Sequence, residues 1–391
     1  MRIKSVIVTA IVVCAAVAAE RTEAGLSYYG GDGQGVTVMD LQRRGGSPFD
    51  ADSEVDFKKA TAILQRTVNR YSRTKREIQG NRVVRKPLPL NDRLAPIGEE
   101  GNWYSEVGLG NPAQAIEFDI DMTSADSWVE STTSIHGTRF DSENSQTYFT
   151  ERKQVFRDCV ASNDNLTIAE LSFGSDFAHC TPHRASVRTL NPSGGMIGLA
   201  FDSLTQTEMT PFLQSATSTG VIADKMFTLE FRGDNDLKLA IGGLSRKIDE
   251  PLWATVKTVG FWQLLFKSLL MNGNTVLSNI HGVLDVTSPL VLAPPEDVRL
   301  FYNFIPGAQP LANGFWSYPC YEQPSLHVEH AGWLFPLTDL SIGKVKDGSG
   351  YCVGFLAEAD LGGLWVMGEP LLSKIITVYD VEEKRVGFRS P

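Results

Sequence analysis

Asp121-Met122-Thr123-Ser124 and Asp285-Val286-Thr287-Ser288 are one stretch written twice. Each copy ends an apolar, strand-like run and opens a Thr/Ser turn. Each is followed, at nearly equal distance, by two apolar residues and a glycine: Met196-Ile197-Gly198 after the first, Val366-Met367-Gly368 after the second. An element and its follower repeated in this way imply two related halves. Each half offers one carboxylate in the same local setting. If the halves face each other, the two carboxylates can share a proton, one acting as base and the other as acid.

Outward from the copies, further residues fall into a known order. Trp128-Val129 follows the first Asp, and an apolar strand ending at Pro294 follows the second. Gly198-Leu199-Ala200-Phe201, Phe261-Trp262-Gln263, Leu364-Trp365-Val366-Met367-Gly368, Tyr379-Asp380 and Val386-Gly387-Phe388 come in sequence after them. Over roughly residues 100–391 the chain resembles the pepsin-like aspartic proteases, closest in wording to secreted fungal members. That resemblance implies an all-β, bilobal fold with the cleft between two related, barrel-like lobes. It makes Asp121 and Asp285 the catalytic pair and puts Trp128 beside the cleft. Asp119 lies on the same strand face as Asp121, but the spacing to Trp128 selects Asp121. Asp119 is expected to be a solvated or hydrogen-bonded strand acid.

Both copies depart from the family wording, Asp-Thr-Gly-Ser. Met122 and Val286 stand where a threonine hydroxyl would cross to the opposite copy. Thr123 and Thr287 stand where glycine lets the backbone approach the carboxylate, and a Gly-type conformation there would cost ~1–3 kcal/mol. Ser124 and Ser288 match, and the resemblance gives their hydroxyls to the aspartates. The expectation is a folded protein of weak activity, raised by restoring Thr at 122 and 286 and Gly at 123 and 287. The flap over the cleft is matched by Phe156-Arg157-Asp158-Cys159: Phe156 keeps a ring and lacks a hydroxyl. Arg157 replaces a glycine and is expected to point to solvent.

The chain has 391 residues, which suit two domains, and 42% are hydrophobic. Frequent Gly and Pro with few long helical patterns favour β structure. A net charge of −10 argues against nucleic acid as a partner. Residues 1–19 read as a secretory signal: Arg2 and Lys4, an apolar run from Val6 to Val17, and Ala16-Val17-Ala18 as a cleavage pattern. That run falls short of the ~20 apolar residues of a spanning helix, so a soluble mature chain without a membrane anchor is expected. Residues 20–90 read as a propeptide. Basic residues crowd its second part (Arg66, Arg70, Arg73, Lys75, Arg76, Arg82, Arg85, Lys86), with Glu77 the one acid among them. Ala60, Ile63, Leu64 and Val68 are spaced for an amphipathic helix between Phe57 and Tyr71. Lys75-Arg76 and Arg85-Lys86 are candidate processing sites. By the resemblance, this segment lies across the cleft as an intramolecular inhibitor. The lobes are then 91–230 and 231–391.

Cys14 leaves with the signal, and four cysteines remain in an exported chain. Proximity pairs Cys159 with Cys180 and Cys320 with Cys352; the second pair resembles a family disulfide. The histidines near Cys180 and at His327 and His330 do not complete a metal ligand set, so neither metal nor cofactor is expected. Asn165-Leu166-Thr167 is a glycosylation sequon. Two functions compete. One is a secreted or vacuolar, lysosome-like, monomeric endopeptidase acting on polypeptides at acid pH. The other is a non-catalytic relative that binds peptides or a protein. Both aspartates favour the first; the altered copies and flap favour the second.

Overall fold

The computed structural model describes residues 35–79, 102–131, 139–156, 158–181 and 193–391, with side chains up to Tyr71 in the segment 57–79. The signal region, Arg157 and Arg85-Lys86 lie outside these residues, as do the side chains of Lys75 and Arg76.

The segment before the first copy forms β1 (Thr37–Arg43) and α1 (Phe57–Gln79). The first half then supplies β2 (Trp103–Leu109), β3 (Gln114–Asp121), β4 (Trp128–Glu130), β5 (Phe149–Phe156), β6 (Cys159–Ile168), β7 (Leu171–Cys180), β8 (Gly195–Gly198) and α2 (Phe212–Ser218). Between the halves run β9 (Met226–Gly233), β10 (Asp236–Ile241) and β11 (Leu252–Thr255). The second half begins with β12 (Gln263–Met271), β13 (Asn274–Leu284), β14 (Val291–Ala293), α3 (Pro295–Tyr302), β15 (Gln309–Pro310), β16 (Trp316–Pro319), β17 (Leu326–His330) and β18 (Trp333–Pro336). It ends with β19 (Ser341–Lys344), β20 (Tyr351–Gly354), β21 (Leu356–Glu358), β22 (Trp365–Met367), α4 (Glu369–Leu372), β23 (Ile376–Asp380) and β24 (Arg385–Arg389).

The duplication inferred from the sequence reappears as hydrogen-bond topology. In the first half β3 pairs in parallel with β8, β8 antiparallel with β4, and β4 in parallel with β7. In the second half β13, β22, β14 and β21 repeat that order and those directions. The first half closes into a barrel because β7 pairs with β6 and β6 returns to β2, Leu109 opposite Leu166. The expected all-β, two-halved architecture is therefore what the chain adopts. Two glycines explain why each follower carries one. A Cβ at Gly198 would lie 2.6 Å from the Ser124 carbonyl oxygen, and one at Gly368 would lie 2.1 Å from that of Ser288. No side chain fits between follower and turn.

The boundary expected at 230/231 falls inside β9. That strand and β10 join one sheet with β23 and β24, from the far end of the chain. Aromatic packing seals the junction. Trp262 donates to the Leu199 carbonyl at 3.0 Å, Phe201 packs on Trp262, and Phe227 stacks on Tyr379. Residues 307–317 contain the short β15–β16 pairing. Asn272 and Gly273, both at positive φ, turn β12 into β13 as their sequence predicts.

The segment ahead of the barrel is built into the fold. β1 lies between β10 and β2, pairing Thr37–Gln42 against Asp236–Ile241. Val55 donates to the Lys344 carbonyl, and Lys344 donates back to Ser53, which adds this stretch to the edge of β19. Asp56 accepts the Lys58 and Lys59 amides and so caps α1. Ala60, Ile63, Leu64 and Tyr71 are buried, so the predicted amphipathic face is the packed one.

Candidate functional site

β3 and β13 deliver Asp121 and Asp285 at their C-terminal ends, each beside its follower. Leu199 donates to the Asp121 carbonyl, and Asp285 donates to that of Met367. The carboxylates are held in matching ways. Thr123 gives its amide and its hydroxyl to Asp121 Oδ1, both at 2.7 Å. Thr287 gives its amide at 2.9 Å and its hydroxyl at 2.6 Å to Asp285 Oδ1. Asp285 is fully buried, and Asp121 keeps partial exposure.

The resemblance assigns these hydroxyl contacts to the serines. Instead, Ser124 Oγ donates to the Asp126 carbonyl and Ser288 Oγ to that of Leu290, where they shape the turns. Neither threonine is at positive φ, so the β-branched residues sit without Gly-type strain. Replacing them by glycine would remove a hydroxyl from each carboxylate. Met122 and Val286 are both buried in the main core, apolar where the family wording has hydroxyls.

Arg70 and Tyr71, from α1, occupy the site. The Tyr71 hydroxyl donates to Asp285 Oδ2 at 3.1 Å, and Arg70 Nη2 lies 3.5 Å from the same oxygen. Arg70 Nη1 also donates to the Thr287 hydroxyl. Burial lifts the carboxyl of Asp121 above its ordinary range; Arg70 and Thr123 pull it down, and the charge of Asp285 adds to the lift. Burial opposes the charge on Arg70, but Asp285 and Asp121 outweigh it and hold the guanidinium firmly protonated. The Tyr71 phenol is raised well above its usual range by burial and by Asp285. Arg70 was legible as one of the basic residues. That Arg70 and Tyr71 would be the ones to reach the pair depends on where α1 docks.

Asp119 is buried and hydrogen-bonded rather than solvated. It accepts the Ser193 hydroxyl and the Asn102 amide at 3.0 Å, with Arg44 at 3.7 Å. A second anchor went unseen in the sequence. Arg43, the last residue of β1, pairs with Glu369 and lies over the Trp103 ring, whose Nε1 donates to Glu369 at 3.0 Å. Burial pushes the Glu369 carboxyl up to about 7, against the pull of Arg43 and Trp103.

At the flap, Phe156 is buried in a small cluster with Trp128, Cys159, Cys180 and Met209. Among the described residues, Trp128 Nε1 is buried there without a hydrogen-bond partner. Cys159–Cys180 and Cys320–Cys352 are the disulfides expected, the first joining register partners of β6 and β7. Asn165 lies inside β6, partly buried. Among the described residues no group of three or more His, Cys, Asp and Glu is placed to hold a metal ion. Nor is any described helix long and apolar enough to cross a membrane.

Known proteins carry the same pattern. A family model described as eukaryotic aspartyl protease matches residues 102–390. An aspartic protease of Phaffia rhodozyma is 24% identical over 319 residues, covering 75% of this chain and 78% of that protein. A vacuolar aspartic protease of Candida albicans is 23% identical over 314 residues, covering 73% and 78%. Renin of Canis lupus familiaris is 23% identical over 346 residues, covering 81% and 84%. With the family model spanning most of the chain and the paired aspartates set in a twofold-repeated topology, the chain belongs to the eukaryotic aspartyl protease family.

Proposed function

We propose that this chain is the precursor of an acid-acting endopeptidase whose dyad is Asp121 and Asp285, blocked by its own segment 35–79. The observation that carries the reading is the matched threonine cradle around both aspartates with Arg70 and Tyr71 set against it. A cation and a phenol on the dyad keep a carboxylate ionised and occupy the place of a substrate. With the segment gone, one carboxylate takes a proton from water as the water oxygen bonds to the peptide carbonyl carbon. The other gives its proton to the carbonyl oxygen. The C–N bond then breaks as its nitrogen takes a proton. The two titrations belong to the pair. Burial of the site and apolar neighbours suit an extended polypeptide with apolar side chains near the cut. Export, to the exterior or to a vacuole-like compartment, follows from the N-terminal signal pattern.

A specific observation favours a weaker enzyme. Met122 and Val286 carry no hydroxyl, and the indole N–H of Trp128, in the same cluster as Phe156, has no partner among the described residues. Protein digestion between pH 3 and 7 by acid-treated full chain, with Asp121→Asn alongside, tests the reading. Cleavage that Asp121→Asn abolishes is expected. Wild-type protein freed of the segment and inert throughout that range would point to a binding role.

A further inference from the structure

The two threonines are alike towards their aspartates and unlike towards the preceding segment. Thr123 and Thr287 each give an amide and a hydroxyl proton to Oδ1. Among the described hydrogen bonds, Arg70 meets Thr287 and not Thr123. Its Nη1 donates to the Thr287 hydroxyl, and its Nη2 reaches the Thr287 carbonyl at 3.5 Å. A hydroxyl has one proton and two lone pairs. Thr287 directs its proton to Asp285 and offers a lone pair to Arg70. The result is a relay of donors, Arg70 to Thr287 to Asp285, in which each bond strengthens the next. Tyr71 and the Arg70 ion pair hold the other carboxylate oxygen.

We propose that Thr287 serves in turn as the latch that holds α1 on the dyad and as the positioning residue for Asp285 once α1 has left, while Thr123 has the second role alone. The latch stands on geometry by itself; the positioning role rests on the peptidase reading above. The charged and titratable groups facing Asp285 are Arg70 and Tyr71 from α1, Asp121 from β3, Glu369 from α4 and Tyr379 from β23. Among the described residues Arg70 is the only cation in this group, so the bonds that fix Arg70 decide how firmly the helix is seated.

Amide hydrogen exchange over Phe57–Tyr71 in the full chain at pH 7 reads the latch without any need for catalysis. Thr287→Val keeps the side-chain shape and removes the hydroxyl. It should speed exchange about two- to tenfold, the worth of one net hydrogen bond. Thr287→Ser should restore the wild-type rate, and Thr123→Val should leave it unchanged. Equal acceleration by both valine variants, or none by Thr287→Val, overturns the latch. The second arm follows kcat against pH after acid removal of the segment. Either valine variant should move the acid limb to higher pH, because an ionised carboxylate loses a donor, with serine restoring it. An unmoved limb overturns the positioning role. Wild-type protein without Asp121-dependent cleavage brings down the peptidase reading and the positioning role together, while the exchange arm still judges the latch.

Discussion

Glu369→Gln decides which force rules at the contact between β1 and the second half. Arg43 and Glu369 form an ion pair with side chains only 4% and 11% exposed, so screening by solvent is small. Breaking such a pair costs about 3–5 kcal/mol when the surviving charge stays buried. Burial nevertheless lifts the glutamate from an ordinary 4.5 to about 7. The sign follows from linkage. A carboxyl whose folded value is raised favours the fold fully below the unfolded value, near 4.5, and that contribution is lost as pH rises through about 7. At about 1.4 kcal/mol for each pH unit, the loss amounts to roughly 3 kcal/mol. Glutamine copies the charge of the neutral acid but carries one acceptor oxygen, so of the bonds from Trp103 and Arg43, which reach different oxygens, it keeps one. Relative to wild type, Glu369→Gln should therefore gain up to roughly 3 kcal/mol in stability between pH 4.5 and pH 8. Urea unfolding of the full chain from pH 4.5 to 8, read as the difference between the two proteins, cancels the other titrating groups. A variant that loses stability relative to wild type as pH rises to 8, or a difference that does not change with pH, would refute the reasoning: the ion pair would then outweigh burial.

Phe156→Tyr offers a hydroxyl to the cluster in which Trp128 Nε1 lacks a partner among the described residues. A stabilisation of about 1 kcal/mol in urea is expected, and a loss of that size would show that the hydroxyl finds no donor there. Tyr71→Phe removes the 3.1 Å bond to Asp285 and should weaken the self-block by ~1.5–3 kcal/mol. Cleavage should then begin at less acidic pH than in wild type, and an unchanged onset would count against the contact. Gly368→Ala sets a methyl 2.1 Å from the Ser288 carbonyl oxygen, so soluble expression or cooperative unfolding should be lost, whereas a fully native variant would contradict the follower–turn packing.

What the sequence made legible was local or repeated. The doubled motif and its followers marked two related halves, which the β3–β8 and β13–β22 pairings repeat, because the same residues recur in the same order although Gly198 and Gly368 lie 77 and 83 residues past Asp121 and Asp285. The helix over Phe57–Tyr71 and the two disulfides were readable because period and proximity suffice. The strand Thr37–Arg43 was not. Its inward positions run Met39, Leu41, Arg43, and an arginine ends an otherwise apolar face. That arginine makes sense only beside Glu369, 326 residues away. Nor could the motif tell which hydroxyl reaches the aspartate. Threonine and serine both qualify chemically, and the turn geometry sends the serines to Asp126 and Leu290. Residue 230 lies inside β9, a strand that joins β23 and β24 in one sheet, a matter of sheet order rather than composition.

The place of β1 also sets an order of events during synthesis. The ribosome makes this strand before nearly everything it touches. Its partner β10 follows about 200 residues later, and Glu369 lies 326 residues beyond Arg43. Translation at about 5–20 residues per second leaves the strand waiting on the order of tens of seconds without its neighbours. Throughout that time it is an open edge with Met39 and Leu41 uncovered, the kind of surface that recruits other chains. Contacts this distant in sequence also slow the search for the native pairing. A strand made before its partners is thus among the last to be secured. A cell producing this protein has to shelter β1 until β10 and Glu369 have been made.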